Sequence, residues 1–187
     1  MQVEKPSLPI RGDEMMVEST ASVSPAGISR WFVNATDRDS GEATTHLKVQ
    51  KLVYYAQAWY LANFDRPLFQ EDMQAWTHGP VTPSVYDKYK GKGFDSLPPE
   101  GAVRLPDGLE PFLNAIKEQY GQFTAKHLEK MTHDEDPWRL TRAGLPLEAR
   151  LHQANRQADD QKFLCGTNWQ KRTQITSALR AGRNPPF

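Results

Sequence analysis

The stretch from Leu47 to Phe64, LKVQKLVYYAQAWYLANF, is apolar almost all the way round when wound as a helix. Val49, Leu52, Val53, Ala56 and Tyr60 form one face, and Tyr55, Trp59 and Ala62 form an adjacent one. A helix with no polar side has nothing to offer water, so it must run through the middle of a domain. The expected fold is mostly α: a compact single helical domain around this central buried helix, over about 46–63, with room for one short β element.

Punctuation sets the other boundaries. Residues 1–23 are polar, broken by Pro6 and Pro9, and read as a flexible N-terminal arm. Ser24 before Pro25 reads as an N-cap with proline at the first helical position, opening a helix over 25–37 with Ile28, Trp31, Phe32 and Ala35 at i, i+3, i+4 and i+7. Thr45 is the expected cap of the central helix, and Asp65-Arg66-Pro67 its stop. Met73 to Thr77 alternates weakly enough for a short strand, which His78-Gly79-Pro80 breaks. A helix follows over 81–90, then a surface loop over 91–106. Asp107 and Glu110 stand at capping-box spacing for a helix over 108–120, Thr124 caps one over 125–132, and Pro137 starts another that Gly144 and Pro146 close. The domain is expected to span 24–146, with 147–187 a polar C-terminal tail carrying a helix over about 168–181.

Composition narrows the function. Lys plus Arg and Asp plus Glu each number 23 in 187 residues, so the formal charge is zero. That balance disfavours a protein whose work is coating DNA or anionic membrane. The single cysteine, Cys165, forbids an internal disulfide and suits a reducing compartment. No apolar run reaches the ~18–20 residues that span a bilayer. The first twenty residues have no apolar stretch after their charges, so no secretory signal is expected there. A cytoplasmic protein is the expectation.

Chemistry-bearing patterns are sparse. The five histidines, His46, His78, His127, His133 and His152, include no pair at HExxH spacing. His133-Asp134-Glu135-Asp136 could gather round a cation, but an acidic turn at the start of the next helix is the simpler reading, because the helix dipole favours carboxylates there. Cys165 stands in a polar tail without an activating partner, no GxSxG elbow occurs, and Gly91-Lys92-Gly93 lacks the spacing of a phosphate loop. No catalytic residue, metal or cofactor is assigned. Lys48 and Lys51 read as a solvated face whose stems cover apolar neighbours. The aromatics are richer: Tyr54, Tyr55, Trp59, Tyr60, Trp76, Tyr86, Tyr89 and Trp138 exceed what a small core needs, and Tyr and Trp dominate binding hot spots.

The segment also carries a family pattern. A helix of the form LQKLLYYAQ-WYLA, a stretch PLF…-EAW-YGPV-PSVY and a later LT-E-PW are matched here by Leu47, Gln50, Lys51, Leu52, Tyr54, Tyr55, Ala56, Gln57, Trp59, Tyr60, Leu61 and Ala62, then by Pro67, Leu68, Phe69, Ala75, Trp76, Gly79, Pro80, Val81, Pro83, Ser84, Val85 and Tyr86, and lastly by Met131, Thr132, His133, Glu135, Pro137 and Trp138. The chain thus resembles the Panacea-domain antitoxins, also known as SocA-like or GepA-like, over about residues 28–146. His78 stands where an aromatic is common, and 91–106 is longer and richer in proline than usual. The resemblance implies a non-enzymatic antitoxin that binds a cognate protein toxin encoded next to it. It implies neutralisation by occlusion or, in the SocA-like branch, by acting as a proteolytic adaptor that hands the toxin to the ClpXP protease.

On this reading Trp59, Trp76, His78, Tyr86 and Trp138 are the candidate toxin-binding residues, bordering a groove between the central helix and 76–86. Two other classes stand beside it. One is a nucleic-acid-binding autoregulator using Lys171, Arg172, Arg180 and Arg183, although the charge balance does not indicate nucleic acid. The other is a small hydrolase using His133 and its neighbouring carboxylates.

Overall fold

The computed structural model describes residues 23–142 and the backbone of Lys162 and Phe163. The central helix, α2 (His46–Phe64), is buried at every position from Lys48 to Ala62. Thr45 caps it, its side chain accepting from Lys48 N at 3.3 Å, and Asp65 ends it in the left-handed conformation at φ 52°. The expected caps therefore hold at both ends.

Five elements share the work of covering α2. The first, α1 (Pro25–Asn34), opens as expected on Ser24, whose Oγ accepts from Gly27 N at 3.1 Å, but it stops three residues short of the expected end. After α2 come β1 (Met73–Trp76), β2 (Gly79–Val81) and α3 (Pro83–Tyr89), followed by a 3₁₀ turn over Lys90–Lys92. Then α4 (Leu109–Tyr120), α5 (Ala125–Asp134) and α6 (Asp136–Thr141) complete the helical set. Helices α1, α3, α4 and α5 and strand β2 all pack on α2, which is why that helix has no solvent side. The mostly α, compact architecture is the one the sequence predicts.

Three local expectations are corrected. Residues 79–81 do not simply break a strand; they form a second strand, paired antiparallel with β1 through Gln74↔Val81, Ala75↔Pro80 and Trp76↔Gly79. Proline is tolerated there because its side of the pair needs no N–H from it. The capping box does not form: Gly108 is the N-cap of α4, at φ 77°, which leaves Asp107 one position outside. The loop over 91–106 is not wholly superficial, since Leu97 is buried and its N–H bonds Thr44 O at 2.9 Å. Thr124 does cap α5, accepting from His127 N. The expected stop at Gly144 and Pro146 and the helix over 168–181 lie outside the described residues.

A third strand, β3 (Lys162–Phe163), pairs antiparallel with the other side of β1, giving the order β2-β1-β3.

Candidate functional site

The hairpin is placed by polar side chains of α2. Gln50, Tyr54 and Gln57 fall at i, i+4 and i+7, a single stripe, with Lys51 beside it. Each of Gln50, Lys51 and Gln57 is buried and grips main chain. Gln57 Oε1 accepts from Leu68 N at 2.9 Å and Phe69 N at 3.2 Å, while its Nε2 donates to Phe69 O at 3.0 Å. Gln50 does the same for Thr82, accepting from its N–H at 3.0 Å and donating to its carbonyl at 3.3 Å. Lys51 Nζ donates to Pro80 O at 3.0 Å. These three residues thus hold the segment that leaves α2 and returns as β2.

Lys51 is the largest departure from expectation. It is 0% exposed rather than solvated. Burial pushes its pKa down to about 7, against a smaller upward pull from Glu129. Lys48 is buried as well: its Nζ donates to Gly121 O at 2.6 Å, at the C-terminal end of α4, and pairs with Glu42 at 3.3 Å. A cation suits a helix C-terminus, where carbonyls lack intrahelical partners.

Gly79 lies directly over the Lys51 ammonium. Its φ is +97°, and a Cβ there would stand 2.6 Å from Lys51 Nζ and 2.7 Å from Thr132 Oγ1. Glycine is required on both counts. The tip of the hairpin, Thr77 and His78, projects beyond this close approach, and the His78 side chain is 67% exposed. Its Nδ1–H donates to Glu129 Oε1 at 3.0 Å, and Lys126 reaches the other carboxylate oxygen at 2.8 Å. Burial raises the Glu129 pKa, but the hydrogen bonds from Lys126 and His78 outweigh it and hold the group below its ordinary value.

Aromatics back the hairpin. Trp76 is half-buried, with its ring edge-on to Tyr86 at 4.6 Å, and Tyr86 lies 5.2 Å from His46. Trp138 donates from Nε1 to Trp76 O at 2.8 Å and stacks on His133 at 4.0 Å. Arg142 donates to Ala75 O at 3.0 Å, with its guanidinium 5.5 Å from the Trp138 ring centroid. The His133 pKa is lowered by burial first, with Glu129 pulling up and Lys51, His78 and Arg142 pushing down.

Four of the five candidate residues therefore meet at this hairpin: Trp76, His78, Tyr86 and Trp138. Of these, His78 is the most open, whereas Trp138 is 7% exposed and serves as a backing layer. Trp59 lies elsewhere. Its Nε1 donates to Tyr120 Oη at 2.7 Å on the α4 side of α2, and the residue is 9% exposed.

The acidic turn before α6 is also unlike its expected form. Glu135 is half-buried, and its carboxylate turns inward to accept from Tyr54 Oη at 2.5 Å and Tyr55 Oη at 3.0 Å. Burial drives its pKa up to about 7, with the two tyrosines pulling the other way and Asp134 adding to the rise. Sequence reasoning missed Gln50, Lys51, Gln57, Glu129 and Glu135 as site-building residues. The available signal was the polar stripe inside an otherwise apolar helix.

Among the described residues, no three His, Cys, Asp or Glu side chains gather as a bound metal requires, and no helix is long and apolar enough to cross a membrane. The fold and site define a helical domain that clasps a β-hairpin to its central helix through main-chain hydrogen bonds. Residues 49–139, from the first turn of α2 into α6, match the family described as "Antitoxin SocA-like, Panacea domain". The family's description supports an antitoxin role in general. No curated protein matches the chain, and no solved structure does.

Proposed function

We propose that this protein is an antitoxin that binds a cognate protein toxin, encoded beside it, and neutralises it by direct occlusion. The observation that carries this reading is the family match over residues 49–139. The binding surface we assign is the hairpin tip with its aromatic backing: His78 and Trp76 in front, Tyr86 beside them and Trp138 behind. Partly open aromatics held on a fixed backbone lose little freedom on binding, which favours tight association. Silencing a toxin at nanomolar affinity requires about −12 kcal/mol. In this reading residues 24–146 form the binding unit, with the arm and tail outside it, and Trp59 acts through the core rather than by touching the toxin.

Co-expression of the chain with the product of the adjacent reading frame tests the proposal, with growth and toxin level followed in cells with and without ClpXP. Rescue in both strains, with toxin persisting in a stable complex, is the expected result. Rescue only where the protease is present, with toxin disappearing, replaces occlusion by the adaptor mechanism. Full rescue by a folded Trp76→Ala, His78→Ala, Tyr86→Ala variant removes the assigned surface.

A further inference from the structure

The Lys51 side chain meets little that would hold a charge. Its Nζ has one acceptor, Pro80 O at 3.0 Å, whereas an ammonium has three N–H groups to satisfy. Among the described residues no carboxylate makes an ion pair with it. Glu129, the acidic group that acts on it, is already engaged by His78 Nδ1 at 3.0 Å and Lys126 Nζ at 2.8 Å. The other groups around it cannot serve as counter-ions. His46 on α2 and His133 on α5 both feel the Lys51 charge as a repulsion, and His78 and Arg142 add to the repulsion at His133. From α3, Tyr86 and Tyr89 lie against His46, at 5.2 and 6.3 Å between ring centroids. Glu135 is taken up by Tyr54 and Tyr55. Among the described residues neither α1 nor α4 brings a charged group to bear on the amine.

On the hairpin side the cover over this amine is main chain. Gly79 has no side chain to interpose, and a Cβ there would stand 2.6 Å from Lys51 Nζ. The ladder that keeps the cover in place has only three residue pairs, Gln74↔Val81, Ala75↔Pro80 and Trp76↔Gly79. A buried charge is costly unless it is paired, so a proton on Lys51 works against the closed hairpin. Lifting the tip lets water reach the ammonium and leaves the contacts of α2 with α4 in place. Local openings of this kind cost less than unfolding the whole domain.

We propose that closure of the β1–β2 hairpin onto α2 is proton-linked: the hairpin shuts over an uncharged Lys51 amine, and uptake of a proton there favours a locally opened hairpin. The linkage needs no partner. Where the antitoxin reading holds, it acts on the recognition surface, because the same hairpin carries Trp76 and His78.

Amide exchange of the full chain, read residue by residue by NMR and corrected for its intrinsic pH dependence, tests this between about pH 7 and 9. Amides of residues 73–81 should be less protected than those of α4, because they exchange through a local opening. Their protection should rise by about ten-fold or more across that range, since Lys51 titrates at about 7 in the closed hairpin and returns towards 10.5 when it reaches water. Lys51→Met should abolish the rise. Lys51→Gln, which keeps a donor for Pro80 O but carries no charge, should abolish it too. His133→Gln should keep it. Hairpin amides as protected as those of α4 overturn the proposal, because the hairpin then opens only with the whole domain. So does a protection that stays flat with pH in the parent, a rise that persists in both Lys51 variants, or one that vanishes in His133→Gln, which moves the proton to the imidazole. No toxin enters the measurement, so each of these failures leaves the antitoxin reading standing.

Discussion

The two sides of α2 are both buried, yet they are built from different chemistry. Towards α4 the contacts are largely aromatic, apart from Lys48 on Gly121 O at the helix end. Tyr55 stacks on Tyr120 at 3.9 Å, Tyr60 stands edge-on to Phe112 at 5.4 Å, and the one indole donor, on Trp59, is met by Tyr120 Oη. Towards the hairpin, Gln50, Lys51 and Gln57 reach main-chain atoms instead. Apolar packing rewards burial without fixing direction, and volume-conserving exchanges are tolerated. A side-chain amide that must meet a particular N–H and C=O fixes the position of what it grips. The aromatic side secures that α2 is inside; the polar side decides where the hairpin stands.

The largest expected effect ignores the distinction. Leu52→Asp places an unpaired charge in the common core and should cost more than the ~4–5 kcal/mol that marks exceptional substitutions, leaving the domain unfolded. A circular dichroism melt like the parent's would remove α2 from the centre of the fold.

Gly79→Ala tests the polar side at its closest approach. The positive φ alone costs about 1–3 kcal/mol, and the new Cβ must also displace Lys51 Nζ or Thr132 Oγ1. A denaturant midpoint unchanged by this substitution would show that the hairpin is not pressed onto α2. The expected loss is partly recovered when Lys51→Met is added, since the two sites share one contact.

A matched pair of milder changes separates the two sides directly. Gln57→Leu strands the buried N–H groups of Leu68 and Phe69 and should cost about 1–3 kcal/mol. Tyr120→Phe deprives the Trp59 indole of its acceptor and should cost about 1 kcal/mol. Amide exchange at Leu68 and Phe69 should quicken beyond the global change in Gln57→Leu only. Equal local effects in both variants would dissolve the contrast.

The last effect, in pH, is spread over several units rather than concentrated in one substitution. Lys51 has a folded pKa of about 7 against its ordinary value of 10.5, so between those values the unfolded chain holds more protons than the folded one. Stability from this group therefore rises with pH from 7 to 10.5, at up to about 1.4 kcal/mol per unit. Glu135, raised from 4.5 to about 7, acts in the opposite sense: its contribution is fullest below pH 4.5 and is lost as pH rises to 7. Lys51→Met should be most favourable relative to the parent near pH 7 and lose that advantage as pH rises. A Tm difference between the two that is flat from pH 7 to 10 would contradict the placement of a charged amine in the interior.

The contrast also explains what could be read in advance. The all-round apolar helix, its Thr45 cap and the capping of α1 and α5 are local statements about spacing and end groups, and they survive intact. Lys51 was misread because its neighbours on either side in sequence, Gln50 and Leu52, do not reveal that a carbonyl from residue 80 will meet its ammonium. That contact exists only after the chain has turned back. Glu135 was misread for the same reason, since its tyrosine partners lie 80 and 81 residues away. The closeness of Trp76, His78 and Tyr86 was legible from their concentration around one Gly-Pro break, whereas Trp138 lies far from that break in sequence and joins them only through the fold. The distance of Trp59 from them was not, because a helix buried on every side gives no sign of which neighbour claims which ring.

The grip of α2 on the hairpin has an evolutionary consequence. Gln50, Lys51 and Gln57 hold main-chain carbonyls and N–H groups, which every residue but proline possesses, and Gly79 is fixed by the space it must leave. The identity of the side chains at the tip is therefore largely uncoupled from the stability of the frame. Thr77 can drift in sequence while the backbone that presents it stays where it is, and a change at His78 gives up only its bond to Glu129. A scaffold of this kind can change what it recognises by single substitutions at its most exposed point, without first acquiring mutations that restore its fold.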